Sequence, residues 1–223
     1  MIFSIYKKAY AVLMKKPVRL WGLSLLAGFL GLVATIGFAG VPAIGWAIAW
    51  ALEVSMANVF LNAYRKGIEP QTNDMFATFA KGRFLRAAGG MAWSALWIVL
   101  WSLIPIVGPI FGVIKSYEYC FVPYILMTNE EISATDALKL SKQQTMGFKS
   151  KMFWAEILVC VLYIAANLVL SLFAAIPYIG ILFAIVSFVL SIAYALLSPL
   201  FFGIVRAAFF VEATAPAIEA AAE

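Results

Sequence analysis

The chain has 223 residues, 65% of them hydrophobic and only 12% charged, with a formal net charge of +5 and a mean hydropathy of +0.97. A soluble domain is about half apolar and about a quarter charged, so this composition excludes a water-soluble globular domain and requires lipid as the solvent. The positive charge does not point to nucleic acid, because the basic residues form short clusters between apolar runs, as membrane topology requires.

In chain order, the first feature is a basic segment with Lys7, Lys8, Lys15, Lys16 and Arg19, amphipathic over 4–14. The apolar run behind it is too long for a signal-peptide core and has no small-residue cleavage site before the next run, so the N-terminus is expected to be retained. A hydrocarbon core of about 30 Å takes about 20 helical residues. Six runs meet that length: 18–39, 43–64, 84–104, 109–128, 152–175 and 180–205. Backbone polar groups in lipid must be satisfied within their own segment, so these runs are predicted to be helices.

The runs are paired by three uncharged turns, Pro42-Ala43-Ile44-Gly45, Pro105-Ile106-Val107-Gly108 and Pro177-Tyr178-Ile179-Gly180. Each reads Pro-x-[Ile/Val]-Gly. Proline removes a donor and glycine permits unusual backbone angles, which suits a tight connection between antiparallel helices. A short amphipathic stretch precedes each pair, at 4–14, 72–80 and 133–146. The last is the clearest. Ser133 is placed to cap it, Asp136 follows three residues on, and Gly147 is placed to end it. Ala134, Ala137, Leu138 and Ser141 share one face, away from Lys139, Lys142 and Gln143. Such stretches are expected to lie in the interface plane.

The expected fold class is therefore all-α integral membrane, with six transmembrane helices as three helical-hairpin repeats and cytoplasmic interfacial amphipathic helices. One domain, 1–223, divides into repeat units 1–66, 67–129 and 130–212, with a short tail at 213–223. Three hairpins can pack around a pseudo-threefold axis and leave a central cavity. Basic residues flank the amphipathic stretches (Arg65, Lys66, Lys81, Arg83 and Arg86 in the second, Lys139, Lys142, Lys149 and Lys151 in the third), and the turns have none. The positive-inside rule then puts both termini in the cytoplasm and the turns outside.

The chain has no histidine, which removes imidazole-based triads, metal sites and relays. No phosphate loop, Cys-x-x-Cys or H-E-x-x-H pattern is present. No enzyme activity, cofactor or metal is expected. Cys120 and Cys160 lie in apolar runs and read as small packing residues rather than a disulfide. Gly28, Gly31, Gly40, Gly89 and Gly90 read as sites of close helix packing.

Charges within the runs are the better lead, because an ionised group at mid-bilayer costs at least a few kcal/mol and faces a cavity or a partner. Counted from the turns, Glu53 is about 12 Å deep, Lys115 about 10 Å and Glu118 about 15 Å. Lys115 and Glu118 are three residues apart and are able to pair on one helix face. Glu53 has no partner on its own helix, so it either meets Lys115 across the bundle or is protonated. Two readings are open: Glu53, Lys115 and Glu118 form a ligand-binding site, or they form an internal ion pair that fixes helix register. Arg19, Arg86, Glu156 and Arg206 are expected near the cytoplasmic interface. Asn58, Asn62 and Asn167 are expected to hydrogen-bond between helices.

The passage Tyr124-Ile125-Leu126, Ser133-Ala134-Thr135-Asp136-Ala137 and Ser141, then Gly147-Phe148-Lys149 and Phe153, resembles a family of uncharacterised bacterial integral membrane proteins. It is also similar to the membrane domain of some glycerophosphodiester phosphodiesterases, whose catalytic domain has no counterpart here. The resemblance spans about 30 residues and implies six helices in the bacterial cytoplasmic (inner) membrane, with no assigned substrate. Glu118 lies just before it.

The functional expectation is binding or transport of a lipid, peptide or small amphiphile through a polar intramembrane site. The alternative is a non-transporting interaction protein, such as an assembly, immunity or regulatory subunit, docking a protein partner on the basic interfacial helices. Membrane lipid is a partner in either case.

Overall fold

The computed structural model describes residues 2–15, 17–67, 69–80, 82–174, 176 and 178–220. The turn residue Pro177 and the basic residues Lys16 and Lys81 lie outside the described residues. Among those described there are nine α-helices and no strand: α1 (Ile2–Lys15), α2 (Pro17–Gly37), α3 (Pro42–Lys66), α4 (Phe84–Ser102), α5 (Gly108–Glu118), α6 (Val122–Thr128), α7 (Ala134–Gln144), α8 (Lys149–Ala174) and α9 (Gly180–Ala220). Six helical segments are long and apolar enough to cross a membrane: α2, α3, α4, α5 with α6, α8 and α9. They form three hairpins, α2–α3, α4–α5/α6 and α8–α9.

The hairpin turns are not all alike. Ile106 and Tyr178 both take φ 69°, a left-handed angle that costs a side chain about 1–2 kcal/mol. Gly108 N–H donates to Ile104 O at 2.8 Å and Gly180 N–H to Ile176 O at 2.9 Å. A Cβ added to Gly108 or Gly180 would collide with the carbonyl of Ser102 or Ala174. The second and third turns therefore share these three features among the described residues. The first spends its similar letters differently. Pro42 opens α3, where a missing N–H costs nothing. Gly45 is already inside that helix and faces α2, where an added Cβ would lie 2.7 Å from Ala34 O.

The packed core lies at the base, the end opposite the turns. Helix α3 is its axis, in contact with α2, α4, α6 and α9. Leu52, Val54, Val59, Phe60 and Leu61 are buried there with Phe121, Ile125, Ile204 and Phe209. Phe210 stacks on Tyr124 at 5.2 Å and meets the edge of Phe121 at 5.3 Å. The amphipathic helices close this core. Ile5, Ala9 and Leu13 of α1 and Ala137, Leu138 and Ser141 of α7 are buried, while Lys7, Lys8, Lys139 and Lys142 are exposed. Their apolar faces thus pack on protein. Ser133 caps α7 as expected, accepting from Asp136 N–H at 3.1 Å. The 72–80 stretch is not a comparable helix. It is a five-residue 3-10 turn, Thr72–Phe76. The loop after it is pinned to α3 by Thr78, whose hydroxyl donates to Ala51 O at 2.8 Å and meets Ser55 Oγ at 2.7 Å.

Towards the turns the packing gives way to exposed apolar side chains, among them Phe29, Ile36, Leu103 and Ile110. That surface suits hydrocarbon rather than water. The third hairpin goes furthest. Helices α8 and α9 have 26 and 41 residues, about 39 and 60 Å, and their outer halves touch little but each other. Polar pairs zip them together: Ser187 Oγ donates to Asn167 Oδ1 at 2.6 Å, and Tyr163 Oη to Ser191 Oγ at 3.0 Å. Asn167 therefore bridges helices as expected, whereas Asn62 bonds Asn58 on its own helix at 3.2 Å.

Candidate functional site

A cavity of about 590 Å³ opens among the three hairpins, within the usual range of about 300–1,000 Å³ for small-molecule sites. Helical periodicity builds its walls. On α3 the lining residues Ala49, Glu53, Ala57 and Phe60 recur at helical spacing, and on α9 Pro199, Gly203 and Arg206 do the same. Opposite them stand Gly28 and Gly31 of α2. Close packing holds at Gly31, where an added Cβ would meet Ala49 at 3.7 Å, and at Gly90 against Leu126. It does not hold at Gly28, Gly40 or Gly89, which have nothing within 4 Å of an added Cβ. Gly28 leaves open space in the cavity wall.

The fourth wall is a broken helix. The fourth span was expected to be continuous over 109–128, but it stops at Glu118 and restarts at Val122. Pro123 lacks the N–H that an unbroken helix would need there. The Glu118 carbonyl left over accepts from Ser141 Oγ of α7 at 2.7 Å. Non-helical backbone at membrane depth is tolerated where protein or a cavity surrounds it, and this break does line the cavity, through Tyr119, Cys120, Pro123 and Tyr124.

Of the three predicted site residues, only Glu53 lines this cavity. Its side chain has free surface although it lies deep in the protein, because that surface is the cavity wall. Among the described residues nothing forms a hydrogen bond or ion pair with it. Lys115 does not reach it. Lys115 Nζ bonds Glu118 Oε2 at 2.6 Å, Lys149 Nζ bonds Glu118 Oε1 at 2.7 Å, and Lys115 sits over the Trp101 ring at 4.9 Å. Glu118 is buried within this triad. Counting from the turn put Glu118 at mid-bilayer, yet its partners Ser141 and Lys149 belong to the base.

Sequence reasoning set Arg206 and Glu156 apart as interfacial groups, and the structure joins them. Arg206 Nε and a terminal nitrogen donate to the two oxygens of Glu156 at 2.6 and 3.0 Å. Tyr117 Oη donates to Glu156 Oε2 at 2.9 Å. Glu156 is buried behind the wall and Arg206 is part of it. A signal for this pair was present: the uncharged stretch 157–205 is bounded by these two opposite charges, one on each arm of a single hairpin. The remaining polar groups of the lining are largely committed. Ser94, Ser116 and Tyr124 donate to the carbonyls of Met91, Val113 and Gly203 at 2.7, 2.7 and 3.0 Å. Both cysteines are free thiols, with Cys120 Sγ 3.8 Å from Met152 Sδ and Cys160 Sγ 3.1 Å from Tyr194 Oη.

The fold and the cavity together define a multi-pass α-helical membrane protein with a polar point inside an apolar chamber. No family model, curated protein or solved structure matches the chain.

Proposed function

We propose that this protein binds an amphiphile within the membrane, in the chamber among its three hairpins, and performs no chemistry on it. The observation that carries the reading is Glu53, a carboxylate with no hydrogen bond or ion pair among the described residues, in an otherwise mainly apolar cavity. Leaving such a group unpartnered is costly, which is understandable where a ligand completes the site. The exposed outer half of the third hairpin supports access from the lipid side rather than from water. The likeness of 124–153 to bacterial membrane proteins and the distribution of basic residues support an inner-membrane protein with cytoplasmic termini. In this reading α1 and α7 lie at the cytoplasmic interface and the three hairpins are related units.

The test is photolabelling in nanodiscs of phosphatidylcholine with a diazirine-bearing alkyl probe, followed by peptide mapping. Label should concentrate on cavity residues of α3 and α9. Ile98→Trp, which fills the chamber without touching its charges, should remove most of it. Label spread evenly over the exposed apolar residues, unchanged by Ile98→Trp, would overturn the proposal.

A further inference from the structure

The charges around the cavity specify more than an amphiphile. Arg206 and Glu53 both stand in the wall, but Arg206 is already neutralised by the two-point grip of Glu156. With Glu53 ionised, as a cationic group beside it would hold it, the sum over Glu53, Arg206 and Glu156 is one negative charge, and it resides on Glu53. The Lys115–Glu118–Lys149 triad carries one positive charge in excess, but none of its members lines the cavity. Lys149 also keeps 30% of its side chain exposed, so its charge is screened. An anionic head group entering the chamber would meet Glu53 with only a partly occupied guanidinium to offset it. A cationic one would find a carboxylate with both oxygens free.

The rest of the lining decides what kind of cation. A hard metal ion takes about six to eight oxygen ligands. Here a single carboxylate is offered, and the Ser94, Ser116 and Tyr124 protons are bound to backbone carbonyls. An ammonium group needs no more than about three acceptors, and the two Glu53 oxygens supply two of them. Met56, Phe60, Ile98 and Phe202 then offer the apolar wall that an attached hydrocarbon chain would occupy.

We infer that the ligand is an amphiphile whose head carries an ammonium group, bound by Glu53 and discriminated from anionic amphiphiles by the Arg206–Glu156 pair, which withholds its cation from Glu53. This rests on the amphiphile reading above. The experiment is competition against the alkyl photoprobe in neutral nanodiscs by three probes of equal chain length, dodecylamine, dodecanol and dodecyl sulfate. A charge-assisted contact is worth about tenfold or more in affinity. Dodecylamine should therefore displace the label at about a tenth of the dodecanol concentration, with dodecyl sulfate weakest. Glu53→Gln should erase the advantage of the amine while leaving dodecanol unchanged, and Glu53→Asp, which keeps the charge, should retain most of it. Label displaced equally by all three probes, or an amine preference that survives Glu53→Gln, would overturn the ammonium inference and leave the chamber reading standing. Failure of any probe to displace cavity label would instead sink the chamber reading. Unfolding midpoints of both variants in the same nanodiscs keep misfolding from imitating either result.

Discussion

Arg206 is bonded to Glu156 and not to Glu53, although both carboxylates lie on helices that pack against α9. The two acids are thereby given different roles. Glu156→Gln breaks a two-point ion pair and frees Tyr117 as well, and should lower stability by about 2–3 kcal/mol. Glu53→Gln removes a carboxyl that makes no hydrogen bond or ion pair among the described residues and should be neutral or stabilising. In a Glu156→Gln background, Arg206 should turn to Glu53, so that Glu53→Gln becomes destabilising there. A double-mutant cycle of unfolding in nonionic detergent should give a coupling of about 1 kcal/mol or more. A cycle that closes at zero would mean that Arg206 is confined to Glu156 by its packing.

The Glu118 triad makes a different prediction, because one acid serves two bases. Glu118→Gln leaves two lysines without a partner and should cost about 3 kcal/mol. Lys149→Met removes a part-exposed partner and should cost under about 1 kcal/mol. Ser141→Ala leaves the Glu118 carbonyl at the helix break unsatisfied and should cost about 1–3 kcal/mol. Equal losses from Lys149→Met and Glu118→Gln would show that the triad does not act as this geometry requires.

These two clusters also mark what a single sequence can and cannot give. Helix positions were legible because lipid forces apolar runs of fixed length, and the Ser133 cap and the buried face of α7 followed from spacing of three and four. Lys115 with Glu118 was legible for the same reason, since both lie on one helix. The break at 119–121 had its signal in Pro123, which the length of the apolar run concealed. Arg206 with Glu156 is not legible in the same way. A depth count puts both at one end of a single hairpin, but which faces of α8 and α9 meet there depends on the packing of two helices, and no one-helix rule carries that.

The shared geometry of the second and third turns can be tested at Ile106 and Gly108. Ile106 is 96% exposed and held at φ 69°, so its side chain contributes little packing against that strain. Ile106→Gly should relieve it and raise stability by up to about 1 kcal/mol, since the gain of about 1–2 kcal/mol is offset by the greater freedom of glycine in the unfolded chain. Gly108→Ala drives a Cβ into the Ser102 carbonyl and should lose several times that amount. Differential unfolding of the two variants in detergent reads both signs. A destabilised Ile106→Gly would mean that the exposed side chain is held by the membrane more strongly than the backbone is strained.

The start of α7 should be sensitive to acid. Asp136 accepts a hydrogen bond from the Ser133 hydroxyl at 2.7 Å and faces Lys139 Nζ at 3.2 Å. The hydroxyl first, and then the ammonium, hold its carboxyl below the ordinary aspartate value of 3.8. A group whose value is lower in the folded state stabilises fully above its unfolded value. That contribution disappears as pH falls through the folded value. Asp136→Asn should therefore lower the unfolding midpoint by a constant amount from neutral pH down to about pH 4, with the difference from wild type closing below it. The ordinary route to this result is charge at the positive end of a helix dipole. A second variant, Ser133→Ala, separates that route from the hydroxyl. If the hydroxyl is the larger cause, removing it should shift the closing point upward towards 3.8 even though the helix dipole and Lys139 are unchanged. An unshifted closing point would assign the effect to the dipole and Lys139 instead.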